Sequence, residues 1–187
     1  MLALQGDFAE HSEMLRKLDA NTNEVRLPAH LAGLNGLIIP GGESTAMARL
    51  MDLYGLRCPL RKRARTGMAI WGTCAGLILM AKALDEDCPT PLGLMDIRIQ
   101  RNAYGSQADS FEVNLAVPMF DEPSFQGVFI RAPKITAVGN HVSVLATTPD
   151  GGVAAVRENR LLATAFHPEL TEDTRFHEYF LSMASSP

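Results

Sequence analysis

The segment Gly72–Gly76, which reads Gly-Thr-Cys-Ala-Gly, constrains the fold of this chain more than any other segment. It joins the apolar run Met68–Trp71 to a second apolar run, Leu77–Ala81. Glycines two residues either side of Cys74 permit a sharp turn from a strand into a helix and leave space above the sulfur. At a helix N-terminus, unpaired N–H groups and the helix dipole favour an anionic thiolate. The pattern predicts a strand–turn–helix unit that presents Cys74 as a nucleophile, although an isolated cysteine is more often a buried core residue.

A base for this nucleophile is offered by a distant segment that contains His167, Pro168 and Glu169. Proline disfavours a helical backbone at the preceding residue, so His167 is expected to be extended. In an extended backbone, residues i and i+2 share a face, so Glu169 can reach the imidazole of His167. Together with Cys74, these residues predict a catalytic triad of nucleophile, base and orienting carboxylate.

A third segment, Leu37–Thr45, runs from a buried strand pattern into Gly41-Gly42 and then into polar residues that can open a helix. Glycines after a strand allow backbone N–H groups to face a developing oxyanion. An ordinary strand-to-helix turn would use the same glycines, and both interpretations stay open. A phosphate cradle is disfavoured, because the P-loop lysine and the dinucleotide-binding glycine spacing are absent.

Composition limits the classes of protein that this chain can represent. Its 187 residues are 47% hydrophobic and 20% charged, which is enough to bury one core, so residues 1–187 are predicted to form a single domain. The net charge is −4, and the basic run at Arg57–Arg65 is expected to form the solvated end of a helix. This charge balance disfavours nucleic-acid binding.

Three cysteines, Cys58, Cys74 and Cys88, give an odd count without CxxC or metal-ligand spacing. This usage fits a reducing compartment and predicts no metal site. The sequence also shows neither a membrane-span pattern nor a signal peptide, so the expectation is a cytoplasmic protein that does not act at a membrane.

Strand and helix patterns alternate in the first half of the chain, which favours a parallel sheet with helices on both faces. The predicted fold class is α/β, a doubly wound, mostly parallel sheet, with additional short antiparallel strands in the second half. Ligands bind at the carboxyl ends of the strands in such sheets, where the turns carrying Gln5, Gly41-Gly42 and Cys74 would gather. The expected strands are Leu2–Leu4, 36–39, 68–73, 128–130, 142–147, 153–156 and 161–166, and the expected helices are 8–18, one from Thr45, one after Cys74, and 173–183.

These motifs resemble class I glutamine amidotransferases, and more narrowly the glutaminase subunits of pyridoxal 5′-phosphate synthases. The resemblance spans nearly the whole chain. The segments that carry it are Ala3–Gly6, Pro40–Thr45, Gly72–Gly76, Arg101–Gly105, Asp109–Glu112, Val128–Pro133 and Phe166–Asp173. The Arg-Asn-Ala-Tyr-Gly and Phe-Ile-Arg-Ala-Pro segments discriminate this family from other amidotransferases.

The resemblance implies a class I amidotransferase-like fold and hydrolysis of L-glutamine to L-glutamate and ammonia through a cysteine thioester, without a cofactor. Cys74, His167 and Glu169 would be the catalytic residues, and the N–H groups of Gly42 and Ala75 would face the oxyanion. The ammonia would pass to a synthase (lyase) subunit that builds the vitamin B6 ring, within a large hetero-oligomer.

The resemblance also implies a set of residues that hold the amino-acid end of glutamine. An arginine suits the substrate carboxylate because its guanidinium pairs bidentately, although a surface arginine or a structural ion pair would look the same in sequence. The substrate-binding residues that the resemblance implies are Gly42, Glu43, Ser44, Arg101, Ile130 and Arg131.

Two alternatives remain open from the sequence. The chain could be a glutaminase serving another biosynthetic acceptor synthase, such as one for imidazole or purine synthesis. It could also be a non-catalytic assembly subunit that keeps the fold, although the intact set of Cys74, His167 and Glu169 argues against this.

Overall fold

The computed structural model of the chain describes residues 1–101, 110–122 and 124–185. Within these ranges the α-helices are α1 (Phe8–Lys17), α2 (Ser44–Leu53), α3 (Arg57–Arg65), α4 (Ala75–Met80) and α5 (Arg175–Ser185). The strands are β1 (Gly36–Ile39), β2 (Ala69–Thr73), β3 (Ala81–Leu84), β4 (Met95–Gln100), β5 (Ser110–Ala116), β6 (Ser124–Ile130), β7 (Lys134–Val138), β8 (Ser143–Thr147), β9 (Val153–Glu158) and β10 (Leu161–Thr164). Short 3₁₀ turns cover Pro28–Leu31 and Pro168–Leu170.

The main sheet of the described chain has seven strands in the order β1-β2-β10-β9-β8-β5-β6. Strand β2 pairs in parallel with β1 and β10, and the other pairs are antiparallel. The predicted α/β fold with antiparallel strands in the second half is confirmed, and antiparallel pairing extends over more of the sheet than the pattern indicated. Since β1, β2 and β10 run side by side in one direction, the turns that follow them emerge at one edge.

Helices cover both faces of the sheet, as the alternating pattern predicted. Along β2, Ile70 packs into one apolar cluster with residues of α2 and α4, while Trp71 packs into the opposite cluster with residues of α1 and α5. All five residues of β2 are buried because side chains on both faces meet helices. The strand is therefore held rigidly up to the residue before Cys74.

A second sheet, β3-β4-β7, was not predicted from the sequence. Strand β3 starts directly after α4, and its burial pattern, with buried, exposed and half-buried residues in succession, has no clear period of two. Without that alternation, the sequence offers little signal for a strand. This sheet positions Arg101, which follows the last residue of β4.

Two of the predicted strands are shorter in the structure by two residues or more. The expected strand at Leu2–Leu4 is reduced to a bridge between Leu2 and Val25. Strand β10 ends at Thr164. Ala165 N–H still donates to Ala154 of the neighbouring β9 at 2.8 Å, and the chain then reaches β6, where His167 N–H donates to Val128 at 2.8 Å.

The basic run forms helix α3, as expected. Several of its arginines hold neighbouring loops in place. Arg57 donates to the carbonyl of Thr90, and Arg61 donates to that of Leu92. The basic residues of α3 therefore stabilise the neighbouring loop that contains Thr90 and Leu92.

Candidate active site

Cys74 lies at the turn between β2 and α4 with φ 46° and ψ −99°. This positive φ is uncommon for a residue with a side chain and costs on the order of 1–3 kcal/mol. The surrounding structure enforces it, because Cys74 N–H donates to Thr164 at 2.9 Å and Ile78 N–H donates to Cys74 at 3.2 Å. The predicted strand–turn–helix unit is confirmed in its geometry, and it aims the sulfur away from the core.

Gly76 allows α4 to approach strand β1 closely. A Cβ atom at this position would overlap the carbonyl oxygen of Ile39. Gly76 therefore lets the first turn of α4 sit against the sheet, and this packing fixes the direction in which Cys74 points.

His167 and Glu169 meet as predicted, since His167 Nδ1 lies 2.7 Å from Glu169 Oε1. Both residues are buried. The backbone that brings them together differs from the extended one expected, because Pro168–Leu170 forms a 3₁₀ turn. Proline at the first position of such a turn loses no hydrogen bond, so the contact is made by a tight turn. Since a carboxylate only accepts, the proton on Nδ1 of His167 donates to Glu169 and leaves Nε2 for chemistry.

The imidazole of His167 lines the same cleft as Cys74 and is hydrogen-bonded on its Nδ1 side to Glu169. Burial disfavours the charged imidazole, but the hydrogen bonds and charges of Cys74 and Glu169 outweigh burial and raise the pKa of His167 to about 10. Burial is the main cause that raises the pKa of Glu169, and the hydrogen bond from His167 opposes it. The arrangement therefore favours an imidazolium held between the sulfur and a buried carboxylate.

A cleft of about 410 Å³ opens above Cys74. It brings together every predicted site residue except Glu169, which lies behind His167. The lining residues are Gln5, Asp7, Gly42, Glu43, Ser44, Cys74, Ala75, Ile78, Arg101, Ile130, Arg131 and His167. The volume and the charged and polar lining suit a small polar metabolite.

The turn after β1 forms one wall of this cleft. Glu43 N–H donates to the side-chain oxygen of Gln5 at 2.7 Å, which ties the turn to the N-terminal segment. The Glu43 carboxylate caps α2 by accepting from Thr45 N–H at 2.9 Å and Ala46 N–H at 2.6 Å. Burial acts to raise the pKa of Glu43, but these backbone hydrogen bonds and nearby Arg101 lower it overall. The Glu43 carboxylate is therefore engaged in the helix cap, while the residue also lines the cleft.

Arg101 enters the cleft from the end of β4. Its guanidinium donates to the carbonyl of Cys88 at 2.5 Å and lies 3.8 Å from a carboxylate oxygen of Glu43. The backbone N–H of Arg101 donates to Glu86 at 2.9 Å. These contacts hold the cation at the cleft wall. The rest of the Arg-Asn-Ala-Tyr-Gly motif, and Asp109 of the next one, lie outside the described residues.

The opposite wall is formed by the end of β6. The carbonyl oxygen of Ile130 lies 3.9 Å from the sulfur of Cys74. Arg131 follows with φ 42°, and its side chain is exposed. A left-handed residue at this point turns the chain away from the sheet and leaves Ile130 and Arg131 facing the cleft.

Several residues near the site were missed from the sequence. Asp7 lies in the cleft, with Oδ2 3.5 Å from Nδ1 of His167. His11 and His177 are fully buried behind Glu169. A histidine three residues before Met14 on the apolar face of α1 was a signal for a buried polar group, but nothing in the sequence indicated what it would meet.

Asp7, His167 and Glu169 offer ligand atoms that lie within 4.8 Å of one another. Such a group could in principle hold a metal ion. However, Nδ1 of His167 is already paired with Glu169, so a metal bound there would remove the carboxylate from the base. The chemistry of this set therefore fits the orientation of a base better than a metal centre.

The fold and the site together define a class of protein. The structure of PurLQS from Thermotoga maritima shares the fold with a TM-score of 0.68 and 18% identity, covering 96% of this chain and 94% of that one. A crystal structure described as a glutamine amidotransferase is much more similar, with a TM-score of 0.93 and 48% identity over 99% of this chain and 97% of the other. The fold is that of class I glutamine amidotransferases.

The family can be stated more narrowly. A family model described as the SNO glutamine amidotransferase family matches residues 1–186. The chain is 53% identical to pyridoxal 5′-phosphate synthase subunit PdxT of Dehalococcoides mccartyi strain CBDB1, covering 100% of this chain and 96% of the relative. The protein of the same description from Herpetosiphon aurantiacus is 54% identical, covering 98% of each. The chain therefore belongs to the SNO glutamine amidotransferase family.

In the described ranges, none of the helices combines the length and the apolar character needed to cross a bilayer.

Proposed function

We propose that this chain hydrolyses L-glutamine to L-glutamate and ammonia, and that the ammonia serves pyridoxal 5′-phosphate synthesis. The observation that carries the proposal is the convergence of Cys74, His167 and Glu169 at the ends of two adjacent parallel strands, beside a cleft of about 410 Å³. Residues 1–187 act as one glutaminase domain. Membership of the family and the names of its relatives support the reaction.

In the first half of the reaction, the sulfur of Cys74 attacks the side-chain amide carbon of glutamine. The carbonyl π electrons move onto oxygen, and the N–H groups of Gly42, in the turn before α2, and Ala75, the first residue of α4, stabilise that oxyanion. When the carbonyl re-forms, the C–N bond breaks and the imidazolium of His167 donates its proton to the departing nitrogen. The products are ammonia and a glutamyl thioester on Cys74.

In the second half, neutral His167 takes a proton from water, and the resulting oxygen attacks the thioester carbon. Collapse of the second tetrahedral intermediate breaks the C–S bond, and the sulfur leaves with its electron pair. Glutamate departs, and the thiolate–imidazolium pair is restored. Glu169 holds the Nδ1 proton of His167 throughout, so that Nε2 alone exchanges protons with substrate and water.

Glutamine is held at its amino-acid end by the walls of the cleft. The guanidinium of Arg101 pairs with the α-carboxylate, and the backbone around Gly42, Glu43 and Ser44 contacts the amino-acid end of the substrate. Ile130 and Arg131 close the other side. Support comes from the cleft lining, which contains all of these residues together with Cys74.

Replacing Arg101 with alanine is expected to raise KM for glutamine by about 10- to 100-fold, the effect of losing a charge-assisted hydrogen bond to a substrate. Steady-state kinetics at saturating glutamine should show a smaller change in kcat, because the triad is intact. Arg98→Ala is the matched control, since Arg98 lies on β4 and is exposed, with Asp85 at 3.1 Å as its partner. An unchanged KM in Arg101→Ala would remove the substrate role of this residue.

The acceptor of ammonia is the synthase subunit of pyridoxal 5′-phosphate synthase, with which the chain assembles into a large hetero-oligomer in the cytoplasm. Free ammonia escapes to solvent and is protonated near neutral pH, so a glutaminase that serves synthesis benefits from acting only when docked. The names of the relatives support this partner. No nucleic acid or membrane takes part.

The experiment that tests the proposal measures glutamate release from L-glutamine by the full chain, with and without the pyridoxal 5′-phosphate synthase subunit. We expect weak turnover by the chain alone and strong stimulation by the synthase subunit. Stimulation instead by an imidazole or purine synthase subunit would contradict the acceptor but not the chemistry. A folded chain that forms the complex and stays inactive would contradict the chemistry.

A further inference from the structure

Two histidines meet behind the triad, in a part of the core that the proposed reaction does not use. His11 on α1 and His177 on α5 are both fully buried, and their Nδ1 and Nε2 atoms, respectively, lie 2.9 Å apart. The other ring nitrogen of His11, Nε2, lies 3.1 Å from the Thr73 hydroxyl and 3.2 Å from Oε2 of Glu169. His11 thus connects the C-terminal helix to the triad carboxylate.

The carboxylate decides which nitrogen of His11 carries the proton. Glu169 can only accept, so a lone pair on Nε2 of His11 would face a negatively charged oxygen. With the proton on Nε2, His11 donates to the Thr73 hydroxyl and places its N–H beside Oε2 of Glu169, and its Nδ1 accepts from Nε2–H of His177. In this arrangement Nδ1 of His177 bears no proton, which agrees with the finding that it is buried without a hydrogen-bond partner among the described residues.

We propose that His11 is a positioning residue for catalysis: its Nε2–H, 3.2 Å from Oε2 of Glu169, stabilises the charged carboxylate in place so that Oε1 stays aligned with His167. The inference rests on the proposed hydrolysis of glutamine. It assigns to α1 a role in the reaction, although His11 touches neither substrate nor the reacting atoms.

The physical need for this contact comes from the burial of Glu169. Oε1 is paired with His167, but Oε2 receives no well-aligned hydrogen bond from the described chain, and the His11 N–H beside it is shared with Thr73. An unpaired carboxylate oxygen in the core is costly, and it would drive Glu169 to protonate or to rotate away from His167. A second N–H donor favours the ionised, aligned carboxylate.

His11 itself must remain neutral, because only then can its Nδ1 accept a hydrogen bond while its Nε2 carries the proton. Burial first, and then the proximity of His177, His167 and the N-terminal amine, each of which disfavours a second positive charge, hold the pKa of His11 well below its usual value. The titratable groups that face Glu169 are His11 from α1, His167 from its own turn, and Asp7 from the start of α1. Near neutral pH these neighbours leave His11 as a neutral donor.

The test compares His11→Gln with His11→Asn, in the full chain saturated with its synthase subunit. The Gln amide nitrogen can replace Nε2 of histidine, whereas the shorter Asn side chain reaches only the position of Nδ1.

We expect His11→Gln to keep kcat near that of the unsubstituted chain. Asn is expected to lower kcat by about 10- to 100-fold, in line with other residues that orient catalytic ligands. KM for glutamine should stay within about twofold in both variants. The acid limb of the kcat–pH profile should move to higher pH only in His11→Asn, because Glu169 protonates more easily in that variant.

Met14→Ala is the matched control, since Met14 is buried on the same side of α1 but is apolar. It should lower the melting temperature without moving the acid limb. If the Gln and Asn variants have the same kcat and the same pH profile, the proposal is overturned.

A measurement on the unsubstituted chain needs neither folded variants nor activity. Nitrogen-15 NMR of the histidine rings near pH 7.5 should find His11 neutral with its proton on Nε2. A proton on Nδ1 would overturn the proposal, whether or not glutamine is the substrate.

Discussion

Cys74→Ala is expected to lower glutamine hydrolysis by about 10⁴-fold or more, because loss of the nucleophile removes the thioester route entirely. The melting temperature should change little, since the alanine keeps the Cβ and the turn is held by backbone hydrogen bonds to Thr164 and from Ile78. Glutamate release in the presence of the synthase subunit is the measurement.

The control for this prediction is Cys58→Ala, because Cys58 is a free, exposed cysteine on α3. It should retain full turnover. Cys74→Ser adds a stricter test, since a serine hydroxyl is far less ionised than a thiol and His167 is tuned to a thiolate partner. Turnover by Cys74→Ser comparable to that of the unsubstituted chain would falsify the assignment of Cys74 as nucleophile.

Gly41→Ala is expected to lower kcat by about 100-fold, the size of effect that follows a misplacement of roughly 1 Å in a catalytic group. A Cβ atom at Gly41 would overlap Cε1 of His167 and come 2.9 Å from a carboxylate oxygen of Asp7. The imidazole must therefore move, which changes its distances to both Cys74 and Glu169. Steady-state kinetics and thermal unfolding should be measured on the same preparation.

Gly55→Ala separates this effect from a general loss of stability. Gly55 follows α2 with φ 65°, and a Cβ there would meet nothing within 4 Å. Alanine in the left-handed region costs roughly 1–2 kcal/mol of unfolding free energy, but the change leaves the cleft untouched. In Gly55→Ala we expect a lower melting temperature with normal kcat. In Gly41→Ala we expect a lower kcat that is out of proportion to any change in melting temperature. Near-normal kcat in Gly41→Ala would show that His167 has room to adjust.

The parts of the site that depend on a few neighbouring residues were predictable from sequence. The strand–turn–helix unit around Cys74 follows from two glycines and the apolar runs on either side. The His167–Glu169 contact follows from a proline between them, even though a 3₁₀ turn replaces the extended backbone. In both cases the information is local, because short-range sterics of Gly and Pro restrict the chain.

The second sheet shows where this reasoning fails. Strand β3 begins at the residue after α4, so a helix and a strand follow each other with no glycine, proline or polar turn between them. Its pairing with β4 depends on residues that come later in the chain, and tertiary contacts override the weak local preference. The consequence reaches the site, because Arg101 is positioned by the end of β4 and by the carbonyl of Cys88.

The sequence by itself determined the chemistry that each segment could offer: a nucleophile at a turn, a base with its carboxylate, and a glycine turn after a strand. Only the tertiary structure decided that they meet. Thr73 pairs with Thr164 across two parallel strands, so the turns after β2 and β10 emerge side by side and place Cys74 against His167. The tertiary structure alone also placed His11 and His177 behind Glu169. The physical reason is range, because backbone sterics act over a few residues, whereas strand register and core packing join residues that are distant in the chain.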